Sequence, residues 1–142
     1  MKHDKLFSLE EANTLLPHIE LIMERMQRIG IQVREEIGGL LYERQEESLP
    51  DLTTPELLRL RPALAPLFEN MAQAVQDIEQ HGCVFKDLEL GLVDFPARVG
   101  EEEIYLCWQY GEKEVAYFHR QSEGFAGRRP IGERSGKLPS QH

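Results

Sequence analysis

Apolar residues recur at alternating steps of three and four through the first part of the chain: Ala12, Leu15, Ile19, Ile22, Met26, Ile29 and Val33, with Leu16 and Met23 widening the stripe. That spacing predicts an amphipathic helix with one core-facing seam. Its start is marked by Ser8 as N-cap with Glu11 three residues on, a capping box, and by Phe7 and Ala12 in the positions of a hydrophobic staple. Pro17 interrupts the pattern. Either the helix kinks there, or a short helix ends near Leu15 and Pro17 opens a longer one, which is the preferred reading because the residue before a proline is driven from helical angles. Gly38-Gly39 weakens the far end, placed near Glu46.

A linker, ESLPDLTT, leads to a second start signal with Thr54 as cap and Pro55 as first helical residue. A second seam follows at Leu57, Leu60, Leu64, Leu67, Met71, Ala74 and Ile78. Pro62 and Pro66 make its first half irregular, so the regular helix should start between them and stop at Gly82, an αL cap. Two seamed helices with a short connection predict an antiparallel αα-hairpin.

After Gly82 the period changes to alternation. Val84-Phe85 and Leu92–Phe95 read as short strands around a turn at Asp87–Gly91, with Pro96 at a strand end or edge. Gly100 marks another turn. A hairpin then pairs Glu103–Gln109 with Glu114–His119 through a turn at 110–113. With Trp108 opposite Val115, one face carries Ile104, Leu106, Trp108, Val115, Tyr117 and His119, and the other Tyr105, Cys107, Ala116 and Phe118. Both faces are too apolar to lie in water, so the helices should cover one and the tail, a partner chain or a ligand the other. The fold class expected is α+β, a long-helix hairpin on an antiparallel sheet of three or four strands. Residues 1–130 form one domain: hairpin 8–82, sheet 83–119 and an Arg-rich loop 120–130. Residues 131–142 form a flexible tail.

Composition changes this picture in two places. With 16 Lys and Arg against 25 Asp and Glu, the formal charge is −9, which argues against nucleic-acid partners. The segment from Arg120 onward is nonetheless net +3, leaving room for a local anion site. The two cysteines, Cys83 and Cys107, lack metal or redox spacing and read as reduced, buried thiols. No run approaches membrane-spanning length, and the N-terminus lacks an apolar leader region, so a cytoplasmic location is expected.

No complete catalytic or cofactor motif is present. The polar groups that could converge are Asp87, Glu89, Asp94, Glu112, His119, Arg128 and Arg129. His119 ends an apolar strand face and reads first as a structural histidine bonded to a carboxylate or the backbone. The alternative is a metal ligand, with Asp94, Asp87 or Glu112 supplying carboxylates to a divalent ion. Neither cysteine sits where its pKa would fall, and GFAG lacks the end of a phosphate loop. The Arg128-Arg129 pair reads first as internal ion pairs, alternatively as a fork for an anion.

The segments FSLEEANTLLP, GCVFKDLELGLVDFPA and YLCWQYGEKEVAYFH followed by GFAGRRP resemble the bacterial family known as domain of unknown function 2203, over Phe7 to Pro130. The resemblance brings no established activity. It implies that Glu11, Asn13, Asp87, Glu89, Asp94, Trp108, Glu112, His119 and Arg128 are the motif-bearing residues, and that the first helix turn docks near the polar cluster, with Glu11 in reach of Arg128 or His119. The candidate ligand-binding set is therefore Glu11, Asn13, Asp87, Asp94, Trp108, Glu112, His119 and Arg128. The function expected is a non-enzymatic binding or interaction module, a homodimer or adaptor with a small polar pocket at the sheet rim, with no nucleic-acid or membrane partner and needing no cofactor. The alternative is a small acidic-pocket enzyme or metal protein using Asp94, Glu112, His119 and Arg128.

Overall fold

The computed structural model describes residues 5–132. The order is α1 (Leu9–Arg44), α2 (Thr54–Leu60), α3 (Leu64–Gln80), β1 (Val84–Asp87), β2 (Leu92–Val99), β3 (Glu102–Gln109), β4 (Tyr117–Arg120), a single 3₁₀ turn at Phe125–Gly127 and β5 (Arg129–Pro130). The strands form one antiparallel meander in sequence order. It is an α+β fold with five strands, the fifth only two residues long.

The Ser8–Glu11 capping box forms in full and starts α1. The expected break at Pro17 does not occur: α1 runs through it for 36 residues. Pro17 is exposed, while Ala12, Leu16 and Ile19 around it are buried in the core. Burying that stripe offsets the roughly 3 kcal/mol cost of an interior proline. The helix ends at Arg44 on Gln45, which adopts φ 55°. The next cap is Thr53 rather than Thr54, with its own capping box to Glu56 and Pro55 in the second position. The helix α2 buries no residue, so the second seam becomes a core stripe only in α3, through Leu64, Ala74 and Ile78.

Helices α1 and α3 run antiparallel, with His18 against His81, Arg25 paired to Asp77 at 2.8 Å, and Arg61 paired to Glu36 and Glu43 at 2.8 and 2.5 Å. Gly82 ends α3 at φ +92°, where a Cβ would stand 2.7 Å from that of Lys5. Only glycine fits both requirements.

The hairpin covers one face of the sheet. Val93, Phe95 and Ala97 of β2, Ile104, Leu106 and Trp108 of β3, and Phe118 of β4 join Ala12, Leu16, Ile19, Ile22, Met23 and Met26 of α1 and Ala74 and Ile78 of α3. Pro96 does not end β2. Its pairing with β1 has already stopped at Asp94, and the free edge receives Phe7, whose N–H donates to the Pro96 carbonyl at 2.7 Å. A proline is tolerated where no ladder bond from its nitrogen is needed.

The register of β3 and β4 differs by one residue from expectation. Ile104 stands opposite Arg120, Tyr105 opposite His119, Leu106 opposite Phe118 and Cys107 opposite Tyr117. Glu114 to Ala116 lie outside the strand, because Val115 is held by α1: its N–H donates to Asn13 Oδ1 at 2.7 Å and its carbonyl accepts from Asn13 Nδ2 at 3.3 Å. A one-residue slip exchanges the faces. Phe118 therefore points into the core, and Tyr117 and His119 join Cys107 and Tyr105 on the far face. Ile131, expected to open the tail, is buried and donates to the Ala116 carbonyl at 2.9 Å; residues 133–142 of the expected tail lie outside the described residues.

Asn13→Ala leaves both backbone groups of Val115 without their partner. It should cost about 1–3 kcal/mol, read as a lower urea midpoint with an unchanged slope.

Candidate functional site

The register assembles a polar cluster on the sheet face away from the helices. Asp94 of β2 stands opposite Cys107 of β3, and His119 of β4 opposite Tyr105 of β3. Asp94 and His119 reach toward each other across β3 and meet at 3.0 Å, His119 Nε2 to Asp94 Oδ2. They are 1% and 3% exposed. His119 Nδ1 lies 2.8 Å from the Arg120 carbonyl. Cys107 Sγ, a His119 ring nitrogen and an Asp94 carboxylate oxygen all lie within 4.8 Å of one another. Asp94 Oδ1 is buried and has no hydrogen-bond partner. The Tyr105 ring lies against His119 at 5.4 Å, with Lys86 over the Tyr105 ring at 5.3 Å.

Both His119 nitrogens face oxygen acceptors, so a doubly protonated ring satisfies both. Burial acts first and disfavours the charged ring. The hydrogen bond from Asp94, the Arg120 carbonyl and the Asp94 charge together overcome it and hold the His119 pKa above its ordinary value. Cys107 is the reverse case: burial first, then the Asp94 charge, push its thiol up to about 12, with Arg128 pulling the other way. Burial alone pushes Cys83 to about 12. Neither thiol is a ready nucleophile, and His119, with both nitrogens engaged, is not placed to activate Cys107.

A second constellation borders the first. Arg128 forms a forked ion pair with Glu112, Nη1 to Oε1 at 3.3 Å and Nη2 to Oε2 as a close contact. Its guanidinium lies 3.9 Å from the Tyr117 ring centre and 4.8 Å from that of Phe125, and Nη1 is 3.9 Å from Cys107 Sγ. Glu112 is fixed from behind, its Oε1 accepting from the Gln109 N–H at 2.8 Å and its carbonyl from Trp108 Nε1 at 2.9 Å. Arg129 pairs with Glu123 at 2.5 Å. The arginines are thus spent on internal partners.

Of the residues expected to gather, Asp94, Glu112, His119 and Arg128 do so. Glu11 does not reach Arg128 or His119: it closes the Ser8 capping box beside Lys5, on the helix side of the sheet. Asn13 holds Val115 instead. Asp87 accepts the Leu90 N–H at 2.8 Å and shapes the β1–β2 turn, while Glu89 is exposed beyond it. Trp108 is buried among the core residues on the helix side. Glu112, expected as a ligand beside His119 and Asp94, is engaged by Arg128, and Cys107 takes that place. Cys107, Tyr105, Tyr117 and Lys86 were not distinguishable as members without the register that puts them on this face.

Two outcomes follow from these charge states. Because the folded pKa of His119 is raised, its contribution to stability is full below the ordinary histidine value of about 6.5 and is lost as pH rises through the folded value. In metal-free buffer, the stability gap between wild type and His119→Gln should narrow with rising pH in urea titrations; a flat or widening gap contradicts the pairing. Both native thiols should also resist iodoacetamide, because their thiolate fraction is lower by roughly a thousandfold than in the unfolded chain. Mass spectrometry before and after urea reads this directly.

Comparison of the chain with curated proteins and with solved structures gave no match. A family model described as "Uncharacterized conserved protein (DUF2203)" matches residues 5–131, which include the whole helical hairpin, the sheet and every residue of the polar cluster. The chain belongs to the uncharacterized conserved protein family DUF2203.

Proposed function

We propose that the protein is a non-enzymatic interaction module that works as a homodimer through the far half of its long helix. The observation that carries this reading is the mismatch between α1 and the sheet. At 36 residues α1 is about 54 Å long, yet its residues in the main core end at Met26. After Gln27 and Gly30, which still contact Leu88 of the β1–β2 turn, the rest of α1 extends with α2 and the start of α3 as a two-helix arm, in which Leu40 and Leu64 are buried. A two-helix arm buries little apolar surface, and this one presents Ile31 at 48% and Tyr42 at 85% exposure.

The glycine pair within the arm supports the same reading. A Cβ on Gly39 would meet Arg61 Nη2 at 2.7 Å, so this glycine makes room for the Arg61 clamp on Glu36 and Glu43. A Cβ on Gly38 would meet nothing within 4 Å. A mid-helix glycine costs up to about 1 kcal/mol relative to alanine, and no contact among the described residues requires it here. Ile31, Gly38 and Tyr42, at steps of seven and four, fall on one stripe of α1. A second helix could approach closely over Gly38, with Ile31 and Tyr42 as flanking contacts. The isologous partner is a second copy of the same stripe, bearing charges of both signs at Arg34 and Glu35.

Against a catalytic reading stand the two thiols held protonated, the forked Arg128–Glu112 pair and the doubly engaged His119. In sedimentation velocity the full chain should run as a dimer. Ile31→Glu and Tyr42→Glu should shift it to monomer with unchanged circular dichroism. Gly38→Ala should weaken the dimer while raising the stability of the dissociated chain by about 0.5–1 kcal/mol. A wild-type chain that stays monomeric at the highest soluble concentration, or glutamate variants that still dimerise, would overturn the proposal.

A further inference from the structure

We propose that Asp94, Cys107 and His119 form a binding site for one divalent metal ion of the zinc class, on the sheet face opposite the helices. The proposal is independent of the dimer reading, because none of these residues lies in the arm.

The donor set is the first argument. An imidazole nitrogen, a sulfur and a carboxylate oxygen lie within 4.8 Å of one another on three adjacent strands. Tetrahedral zinc with bonds of about 2.0–2.3 Å places its ligand atoms roughly 3.3–3.6 Å apart. Closing that difference takes side-chain rotation toward a shared point among the three strands. Mixed nitrogen, sulfur and oxygen donors suit zinc and its neighbours rather than magnesium or calcium, which prefer oxygen alone.

The orphaned carboxylate oxygen is the second argument. Asp94 is 1% exposed and its Oδ1 has no hydrogen-bond partner. A buried, unpartnered polar atom costs about 1–3 kcal/mol, and a cation bound to the carboxylate would remove that cost.

The surroundings of the cluster match what orients metal ligands. His119 Nδ1 is directed at the Arg120 carbonyl at 2.8 Å. Donation there leaves Nε2, the atom facing Asp94, to carry the metal-binding lone pair. Arg128 stands 3.9 Å from Cys107 Sγ, is itself held by Glu112, and would stabilise a thiolate. On binding, the Cys107 thiol and the His119 Nε2–H that faces Asp94 each give up a proton to solvent. The charges then balance: one divalent ion against the Cys107 thiolate and the Asp94 carboxylate, with His119 neutral and Arg128 offset by Glu112. Three protein donors leave a fourth position for water or a small ligand.

The test uses the full chain, stripped with chelator and titrated with Co²⁺. The expected result is one Co²⁺ per chain, tetrahedral d–d absorption and a thiolate-to-cobalt charge-transfer band, all displaced by Zn²⁺. Cys83→Ser should leave the band unchanged. Cys107→Ser should abolish it, and Asp94→Asn and His119→Gln should each weaken binding by about tenfold or more. Near-UV circular dichroism of Trp108 reports folding of each variant. Should a cluster variant fail to fold, the wild-type and Cys83→Ser spectra still decide, since a band retained without Cys83 leaves Cys107 as the thiolate. No charge-transfer band in the wild type, binding well below one ion per chain, or a band lost in Cys83→Ser overturns the proposal.

Discussion

The pairing of Cys107 with Tyr117 is the constraint on which the outer face depends. Side chains alternate along a strand, so one step of slip between β3 and β4 exchanges the buried and outward sets entirely. In the expected register His119 would lie in the column of Trp108, among core residues, with no carboxylate opposite. In the observed register it crosses β3 to Asp94. Asn13 selects between the two. By taking both the N–H and the carbonyl of Val115, it removes Val115 from the ladder, and β4 begins two residues later. The contact spans 102 positions of sequence. A polar side chain in the first turns of α1 thus decides which chemistry appears on the far side of the sheet.

That chemistry has an energetic cost. Asp94 and His119 are both removed from water, and a buried ion pair commonly contributes less than a well-packed apolar pair of similar volume. The unpartnered Oδ1 adds to the cost. The outer-face strand positions could have been filled with valine or isoleucine and left a more stable sheet. Stability therefore does not account for three polar or sulfur-bearing side chains gathered at adjacent positions. The Arg128–Glu112 pair differs: its forked contact, its Tyr117 and Phe125 neighbours and the backbone donors behind Glu112 leave few groups unsatisfied.

Much of the frame was legible in the sequence. The capping box at Ser8, the apolar seam of α1, the start of α3 between two prolines and the stop at Gly82 are local signals, each read from residues a few positions apart. The strands were also legible as segments, through alternation. Pro17 misled because propensity is local, whereas the burial of Ala12, Leu16 and Ile19 that keeps the helix continuous comes from the sheet. The hairpin register misled because it is set by Asn13, far away in sequence. Asp94 and His119 could be named as polar residues near strand ends, but Cys107 could not be joined to them. On the sequence it was one more apolar-looking residue in YLCWQ, and only the corrected faces place it beside a carboxylate and an imidazole.

The two faces of the sheet are joined at one residue. Cys107 and Trp108 are neighbours on β3 and point to opposite sides. Trp108 donates from the core side to the Glu112 carbonyl, while the Glu112 side chain holds Arg128, which reaches back to Cys107 on the outer side. The turn after β3 thus folds over the end of the sheet and ties the position of a buried indole to that of the guanidinium beside the thiol. Gly111 within this turn sits at φ +104°, a conformation that β-branched or bulky residues resist. Packing around Trp108 therefore bears on the electrostatics of Cys107 through a short, fully bonded path. The cluster is held by the same core that the helices bury.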